Sequence, residues 1–356
     1  SMKLLGCSLK NFKGIREKTI SFRGDPQGDP RPLTAFLGEN GTGKTTVLQA
    51  IALVLSLATR KGRILRVEDF PWHGFLPERL SSLGPTEVEL DVAFGEDEVR
   101  AVRELYELTR GRPGLTREEI PGSHEEVRLV FREGKLESPQ GPDGLAQFLG
   151  RYYIQVMQKQ DPELRNFYRR VGGVFWFDQF RNLVTRSGGE WGAAEPGGWS
   201  AGVERLREYL VVWWSYHVSS FPHGVDYIPD LEKAFQNVFP DVEFAGVQPR
   251  NVDSGGGIKD SLFLLRKKQR VYDIAEMSSG EQGVFPILYE FVRLRIAKSI
   301  VLVDELEMHL HPFQQQVLLA ALSRLGEDCQ FVLTTHSPYL EEVIPDSCEV
   351  RFGGES

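Results

Sequence analysis

Eight consecutive residues, Gly38-Glu-Asn-Gly-Thr-Gly-Lys-Thr45, fit the spacing G-x-x-x-x-G-K-[ST]. Glycines at Gly38, Gly41 and Gly43 let successive backbone N–H groups turn inward on phosphate oxygens, and a helix N-terminus behind them adds a favourable dipole. Asn40 and Thr46 belong to the same surface; Lys44 would reach the β- and γ-phosphates, and Thr45 would place its hydroxyl on Mg2+. The bland alternative is a glycine turn capping a helix. An apolar strand before the loop and an apolar helix after it favour a nucleotide site.

Three further segments carry polar groups at the ends of apolar runs. Ser299-Ile-Val-Leu-Val-Asp304-Glu305 reads as a buried strand ending in two carboxylates, at the sheet edge where such folds bind ligands. There Asp304 would hold Mg2+ through its water shell and Glu305 would polarise an attacking water. Phe331-Val-Leu-Thr-Thr-His336 is a second such strand, and its histidine would sense a γ-phosphate. Met277-Ser-Ser-Gly-Glu-Gln282 precedes an apolar helix that contains Pro286. Ser278 followed three positions later by Glu281 is a capping box. The same helix N-terminus, with Ser278 and Gly280, is also a phosphate-binding surface.

These groups need a scaffold. Met2–Leu9, Thr19–Phe22 and Leu33–Leu37 read as strands, with turn chemistry at 24–30. Thr45–Arg60 carries helical spacing. Val88–Phe94 and Glu126–Phe131 alternate as half-buried strands do. Glu98–Leu108, Leu145–Arg170 and Pro229–Phe239 read as helices, Ser187–Gly198 as a loop and Leu262–Leu265 as a strand. From Met277 onward helices and strands alternate, which predicts a mostly parallel sheet with helices against it. No internal repeat or sustained heptad is evident.

Composition narrows the function classes. Apolar residues make up 41% and charged residues 26%, as in ordinary globular chains. A formal net charge of −8 excludes a generally basic nucleic-acid-coating protein, although a local basic patch is compatible with it. No run approaches a membrane span. The three cysteines, Cys7, Cys329 and Cys348, are odd in number and far apart, which suits a reducing, cytoplasmic setting.

Taken together, the phosphate loop, Asp304-Glu305, His336 and Met277–Gln282 resemble the ABC-type ATPase heads, in the branch shared by RecF, SMC-type heads and OLD-family ATPases. Met277–Gln282 is closer to that branch's S-S-G-E-Q signature than to the transporter form L-S-G-G-Q. Asp304-Glu-Leu-Glu-Met-His-Leu-His-Pro312 is similar to the OLD-like D-E-P-E-x-H-L-H-P segment, with Leu306 replacing the usual proline. Lys10-Asn-Phe-Lys-Gly-Ile15 looks like the branch's first strand, which brings Lys13 toward nucleotide. The stretch from Gly173 to Gln179 resembles a strand entering the Q-loop, whose glutamine meets Mg2+.

The resemblance implies an α/β fold: a P-loop NTPase of ABC-ATPase head type with a mixed or parallel sheet core, an antiparallel β subdomain and a helical lobe. It suggests head segments at 2–95 and 226–353 around an inserted lobe at 96–225. It also implies ATP and Mg2+ as cofactors and a homodimer in which Ser278, Gly280 and Glu281 of one subunit close over ATP held by the other. Met308–His311 would lie at that interface. A zinc site at His309 and His311 is unattractive, because the remaining ligands are missing.

Three functions compete. The first is a soluble ATPase of DNA repair or phage defence without coiled-coil arms. Only 20 residues follow His336, which leaves no room for an appended nuclease, so any nuclease or effector would be a separate partner. DNA contact would require the basic clusters at Arg165–Arg170 and Arg266–Arg270 to share one surface of the closed dimer. The second is a transporter's ATP-driving subunit, disfavoured by the signature and the H-L-H-P segment. The third is a non-hydrolytic switch regulating a toxin or nuclease. The aromatic stretch Val211–Tyr216 reads as helix core.

Overall fold

A computed structural model describes residues 1–60, 79–113, 115, 119–177, 199–220, 224–253, 257–308 and 310–353. In chain order its first elements are β1 (Met2–Phe12), β2 (Ile15–Ser21), β3 (Leu33–Leu37), α1 (Lys44–Ala58), β4 (Glu87–Phe94) and α2 (Glu96–Thr109). Then come β5 (Glu126–Arg132), β6 (Lys135–Glu137), α3 (Gly141–Ala146), α4 (Gly150–Met157), β7 (Val174–Phe177), α5 (Trp199–His217) and α6 (Ile228–Val238). The remainder is β8 (Val242–Pro249), β9 (Ser261–Lys267), β10 (Arg270–Asp273), α7 (Ser279–Arg293), β11 (Ile300–Val303), α8 (Pro312–Leu322), β12 (Gln330–Thr335), α9 (Pro338–Glu341) and β13 (Glu349–Arg351).

The chain divides into two compact units. The first contains Ser1–Gln179, Ile296–Met308 and Gly326–Ser356. Its central sheet is parallel, in the order β13-β3-β12-β11-β7. Every residue of β11 and β12 is buried. That explains why these segments read as continuous apolar runs rather than alternating ones: a parallel strand covered on both faces has no polar side.

A second sheet, β2-β1-β4-β5-β6, is antiparallel. Alternate residues of β4 are fully buried, as a one-faced strand requires. The helix α1 has 12 of its 15 residues buried. It is apolar all round because both sheets cover it, and one hydrophobic cluster runs from Leu4 and Val88 through Ile51 and Leu55 to Ile300 and Val332. Buried Gln330 joins the two sheets: its Oε1 accepts from Leu4 N at 2.6 Å and its Nε2 donates to Leu4 O at 3.0 Å.

The single helix expected over Leu145–Arg170 is a correction. The chain runs through α3, a short 3-10 turn and α4, then breaks and resumes as a 3-10 segment over Pro162–Arg169. Pro162 lacks an N–H and disfavours helical backbone at Asp161, which sits at φ −135°, ψ 88°.

The second unit contains Phe180–Arg295 and His309–Leu325. Its sheet β10-β9-β8 is antiparallel, with α5 and α6 against it and α7 packed on both α6 and α8. Phe235, Phe244, Phe263 and Phe285 interlock edge to face and tilted, with Phe235 and Phe285 centroids 4.7 Å apart. Of the aromatic stretch on α5, expected to be helix core, Val211 is buried and Val212 is exposed, while Trp213 and Trp214 are half-buried. Trp213 stacks on Tyr289 at 4.5 Å and on Tyr227 at 4.7 Å, and Trp214 meets Phe263. The loop expected at Ser187–Gly198 lies outside the described residues.

Candidate functional site

The phosphate loop leaves β3 and enters α1. Gly41 has φ 81° and Gly43, the N-cap of α1, has φ 96°. Only glycine holds this region cheaply, and it is what turns consecutive amides to one side. A Cβ built at Gly41 meets nothing within 4 Å, so the loop opens onto free space there. Gly38 is constrained differently: at φ 146°, its Cβ would come 2.5 Å from the Phe352 carbonyl oxygen. Lys44 curls back over the loop, donating from Nζ to Gly38 O at 2.5 Å and Glu39 O at 2.7 Å. Burial pushes the Lys44 ammonium below its ordinary range, against the pull of Glu307, Asp304 and Glu305.

The loop borders a cavity of about 380 Å³, whose lining includes Asn40, Gly41, Gly43, Lys44, Thr45, Thr46, Glu305 and His336. Three chain segments meet at one carboxylate held by Thr45 and Thr334, which line the cavity. Asp304 Oδ1 accepts from Thr45 Oγ1 at 2.9 Å and from Thr334 Oγ1 at 2.6 Å. Thr334 Oγ1 in turn accepts from Glu305 N at 2.8 Å. Glu305 sits at φ 51°, a conformation costly for a residue with a Cβ and held here by that hydrogen bond and by Leu306 N donating to Thr334 O. Burial raises the Glu305 carboxyl above the usual range, and Asp304 and Glu307 raise it further.

His336 follows β12. Its backbone N donates to Glu307 Oε1 at 2.8 Å, and its Nδ1 lies 2.7 Å from the same oxygen. The glutamate is 7% exposed and the histidine 38%.

Two expected site residues have their charged groups engaged within the chain. Lys13, at φ 51°, directs its ammonium to Gln49 Oε1 on α1 at 2.7 Å, and its neighbours Gly14 and Ile15 line the cavity instead. Burial holds that ammonium below its ordinary range. Glu281 is 2% exposed with both oxygens committed: Oε2 accepts from Ser278 N at 2.9 Å and Oε1 from Tyr272 Oη at 3.1 Å. The Glu281 carboxylate thereby shapes the loop around Ser278. The capping box read from the sequence is present. Ser278 and Ser279 are exposed, whereas Gly280 is buried beside Val317 and Phe313.

Phe177 O, at the end of β7, accepts from Asp304 N at 2.8 Å, so that strand ends beside the carboxylates. Gln179 and His309 lie outside the described residues. Of the basic clusters, Arg170 is forked between Asp97 and Glu104, while Arg266, Lys267, Lys268 and Arg270 are exposed around the β9–β10 turn. Thr334 and Glu307 were not read from the sequence as site residues. The signals were a buried threonine pair at the end of an apolar strand and a third carboxylate two positions after Glu305.

Two family models match the chain. One, described as "AAA domain, putative AbiEii toxin, Type IV TA system", matches residues 213–341, and the other, described as "AAA domain", matches residues 7–129. The first spans the Asp304 strand, His336 and the signature loop, and the second spans the phosphate loop. Both models describe AAA domains. Such domains bind ATP and generally Mg2+.

The chain is 21% identical over 341 residues to the Septu protein PtuA of Bacillus mycoides (strain KBAB4), covering 93% of the chain and 37% of that protein. It is 30% identical over 87 residues to the Retron Ec83 probable ATPase of Escherichia coli, covering 21% of the chain and 16% of that protein. It is 19% identical over 358 residues to the Retron Vc95 probable ATPase of Vibrio cholerae serotype O1 biovar El Tor, covering 86% of the chain and 66% of that protein. The chain thus spans less than two thirds of each of these relatives. Among solved structures, an SMC head bound to the C-winged helix domain of ScpA superposes with a TM-score of 0.47 at 14% identity, covering 96% of this chain and 92% of that one. Among the described residues no helix is long and apolar enough to cross a membrane.

Proposed function

We propose that the chain hydrolyses ATP–Mg2+ in the cavity behind the phosphate loop, at the interface of a head-to-tail homodimer. The observation that supports this most directly is the convergence of Thr45 and Thr334 on Asp304 Oδ1, with Glu305 held beside them. The residues fit the groups. Gly41, Gly43 and the α1 N-terminus offer amides to phosphates, and Lys44 can exchange two loop carbonyls for phosphoryl oxygens. Thr45 and Asp304 form a hard oxygen pair suited to Mg2+, which when bound would neutralise charge on the β- and γ-phosphates. Gln179 is proposed as a further metal ligand.

Glu305, raised above its ordinary range, takes the proton of the attacking water, the bond from the γ-phosphorus to the β–γ bridging oxygen breaks, and ADP and phosphate leave. His336 meets the γ-phosphate from the end of β12. Ser278 and Gly280 of a second copy would supply donors that one subunit lacks, so ATP favours the closed pair and hydrolysis releases it.

Glu305→Gln tests this directly. The variant should bind ATP, release phosphate at a rate about 10²–10⁴-fold below wild type, and double in mass by light scattering with Mg2+–ATP. Unchanged phosphate release defeats the hydrolytic assignment and leaves a non-hydrolytic switch. A single-copy particle in saturating nucleotide defeats the dimer.

Phage defence in the cytoplasm, with a separate nuclease or effector, is the proposed setting, supported by relatives named as Septu and retron proteins. The exposed cations of the β9–β10 turn make DNA the proposed polyanion. Mobility shifts that weaken with salt and depend on ATP would bear this out, and no shift at low salt would remove it.

A further inference from the structure

We propose that Glu307 is a positioning residue for His336: it locks the ring so that Nε2 is the nitrogen presented to the γ-phosphate. The inference rests on the hydrolytic reading above and deepens it.

One carboxylate oxygen, Oε1, meets both the backbone N and ring Nδ1 of His336, at 2.8 and 2.7 Å. The backbone group can only donate, so Oε1 is an acceptor, and an acceptor at this distance selects the ring tautomer with its proton on Nδ1. Two bonds to one residue fix the position of its Cα and the direction of its ring. Nε2 is then the nitrogen left for the cavity that His336 lines.

The other oxygen, Oε2, is buried without a hydrogen-bond partner among the described residues. A carboxylate that is 7% exposed with one unsatisfied oxygen carries a desolvation cost that an apolar side chain of similar volume would avoid. Stability therefore does not account for a glutamate here. What Glu307 supplies is orientation of a ring on the exposed end of a strand, where few other contacts would hold it. The nearby Lys44 lies within reach of the glutamate's charge, which keeps the buried carboxylate compatible with the site. Leu306, fully buried immediately before it, anchors the turn that aims the side chain inward.

The test uses the full chain with Mg2+–ATP. Glu307→Ala should lower kcat about 10–100-fold with KM for ATP changed less than about twofold, and Glu307→Gln, which keeps an acceptor for both N–H groups, should recover most of the loss. The double variant Glu307→Ala/His336→Ala should be no slower than His336→Ala alone, because both act through one ring. Independent, multiplying losses would overturn the proposal, as would a Gln variant as slow as the Ala variant.

A second readout needs no turnover. Long-range 1H–15N spectra of 15N-histidine-labelled wild type, with the His336 signals assigned by their loss in His336→Ala, should show the proton on Nδ1. In Glu307→Ala it should move to Nε2. A wild-type ring protonated on Nε2 overturns the proposal even in an active enzyme. If the wild type shows no ATPase activity, the functional reading fails, while the spectra still decide the tautomer.

Discussion

Thr334→Val removes one hydroxyl from the interior of β12 and nothing else of comparable volume. That hydroxyl donates to Asp304 Oδ1 at 2.6 Å and accepts from Glu305 N at 2.8 Å. The bond to a charged acceptor is worth about 1.5–3 kcal/mol, and the orphaned Glu305 amide costs about 1–3 kcal/mol. Some of this returns if Glu305 leaves its left-handed conformation, which releases about 1–2 kcal/mol. That relaxation carries the carboxylate away from the cavity. The expected net outcome is about 1–3 kcal/mol lost in urea unfolding and kcat lowered about 100-fold, at tenfold per 1.36 kcal/mol. KM for ATP should move little, since Lys44 and the glycine loop are untouched. Thr334→Ser keeps the hydroxyl and should stay within about threefold of wild type. A Val variant that turns over within twofold of wild type, or a Ser variant as damaged as Val, would refute the claim that this hydroxyl holds the two carboxylates in place.

Other perturbations follow from the same geometry. Because Glu305 must be ionised to accept a proton and its carboxyl is raised, the acid limb of kcat against pH should fall above the ordinary glutamate value of about 4.3. The same raised group binds more protons in the native than in the unfolded state, so stability falls as pH rises through that window, and Glu305→Gln should flatten this slope in denaturation series. Gly38→Ala places a Cβ 2.5 Å from the Phe352 carbonyl at φ 146°, so β13 must part from β3. A loss of about 2–4 kcal/mol is expected, and a melting temperature unchanged from wild type would contradict it. Arg207→Ala strands the buried Asp273, whose carboxyl is held low by Arg207 and by the amides of Ala275 and Phe263 in spite of burial. It should cost about 3–5 kcal/mol near neutral pH. That contribution is present above the unfolded aspartate value and lost as pH falls through the lower native one, so the variant's deficit should shrink in acid.

How far residues reveal a site depends on how far apart its partners lie. The phosphate loop, the capping box at Ser278 and Glu281, and the buried strands before Asp304 and His336 are local patterns. Glycine conformational freedom, helix capping and apolar runs act within a few residues, so eight or ten letters suffice to specify them. The parallel sheet was legible for the same reason, as strands buried on both faces cannot alternate.

Contacts across the chain were legible only where a shared ligand implied them, as Mg2+ did for Thr45 and Asp304, and the Thr334 bridge was not. Thr45 and Asp304 are 259 positions apart, and Thr334 reaches Asp304 across 30. Their meeting depends on β3, β12 and β11 lying side by side in register. Lys13 and Glu281 carried the right chemistry, but Gln49 and Tyr272 claim their side chains. A motif fixes which groups are available; packing, by deciding which neighbours compete for them, selects the ones left to face a ligand.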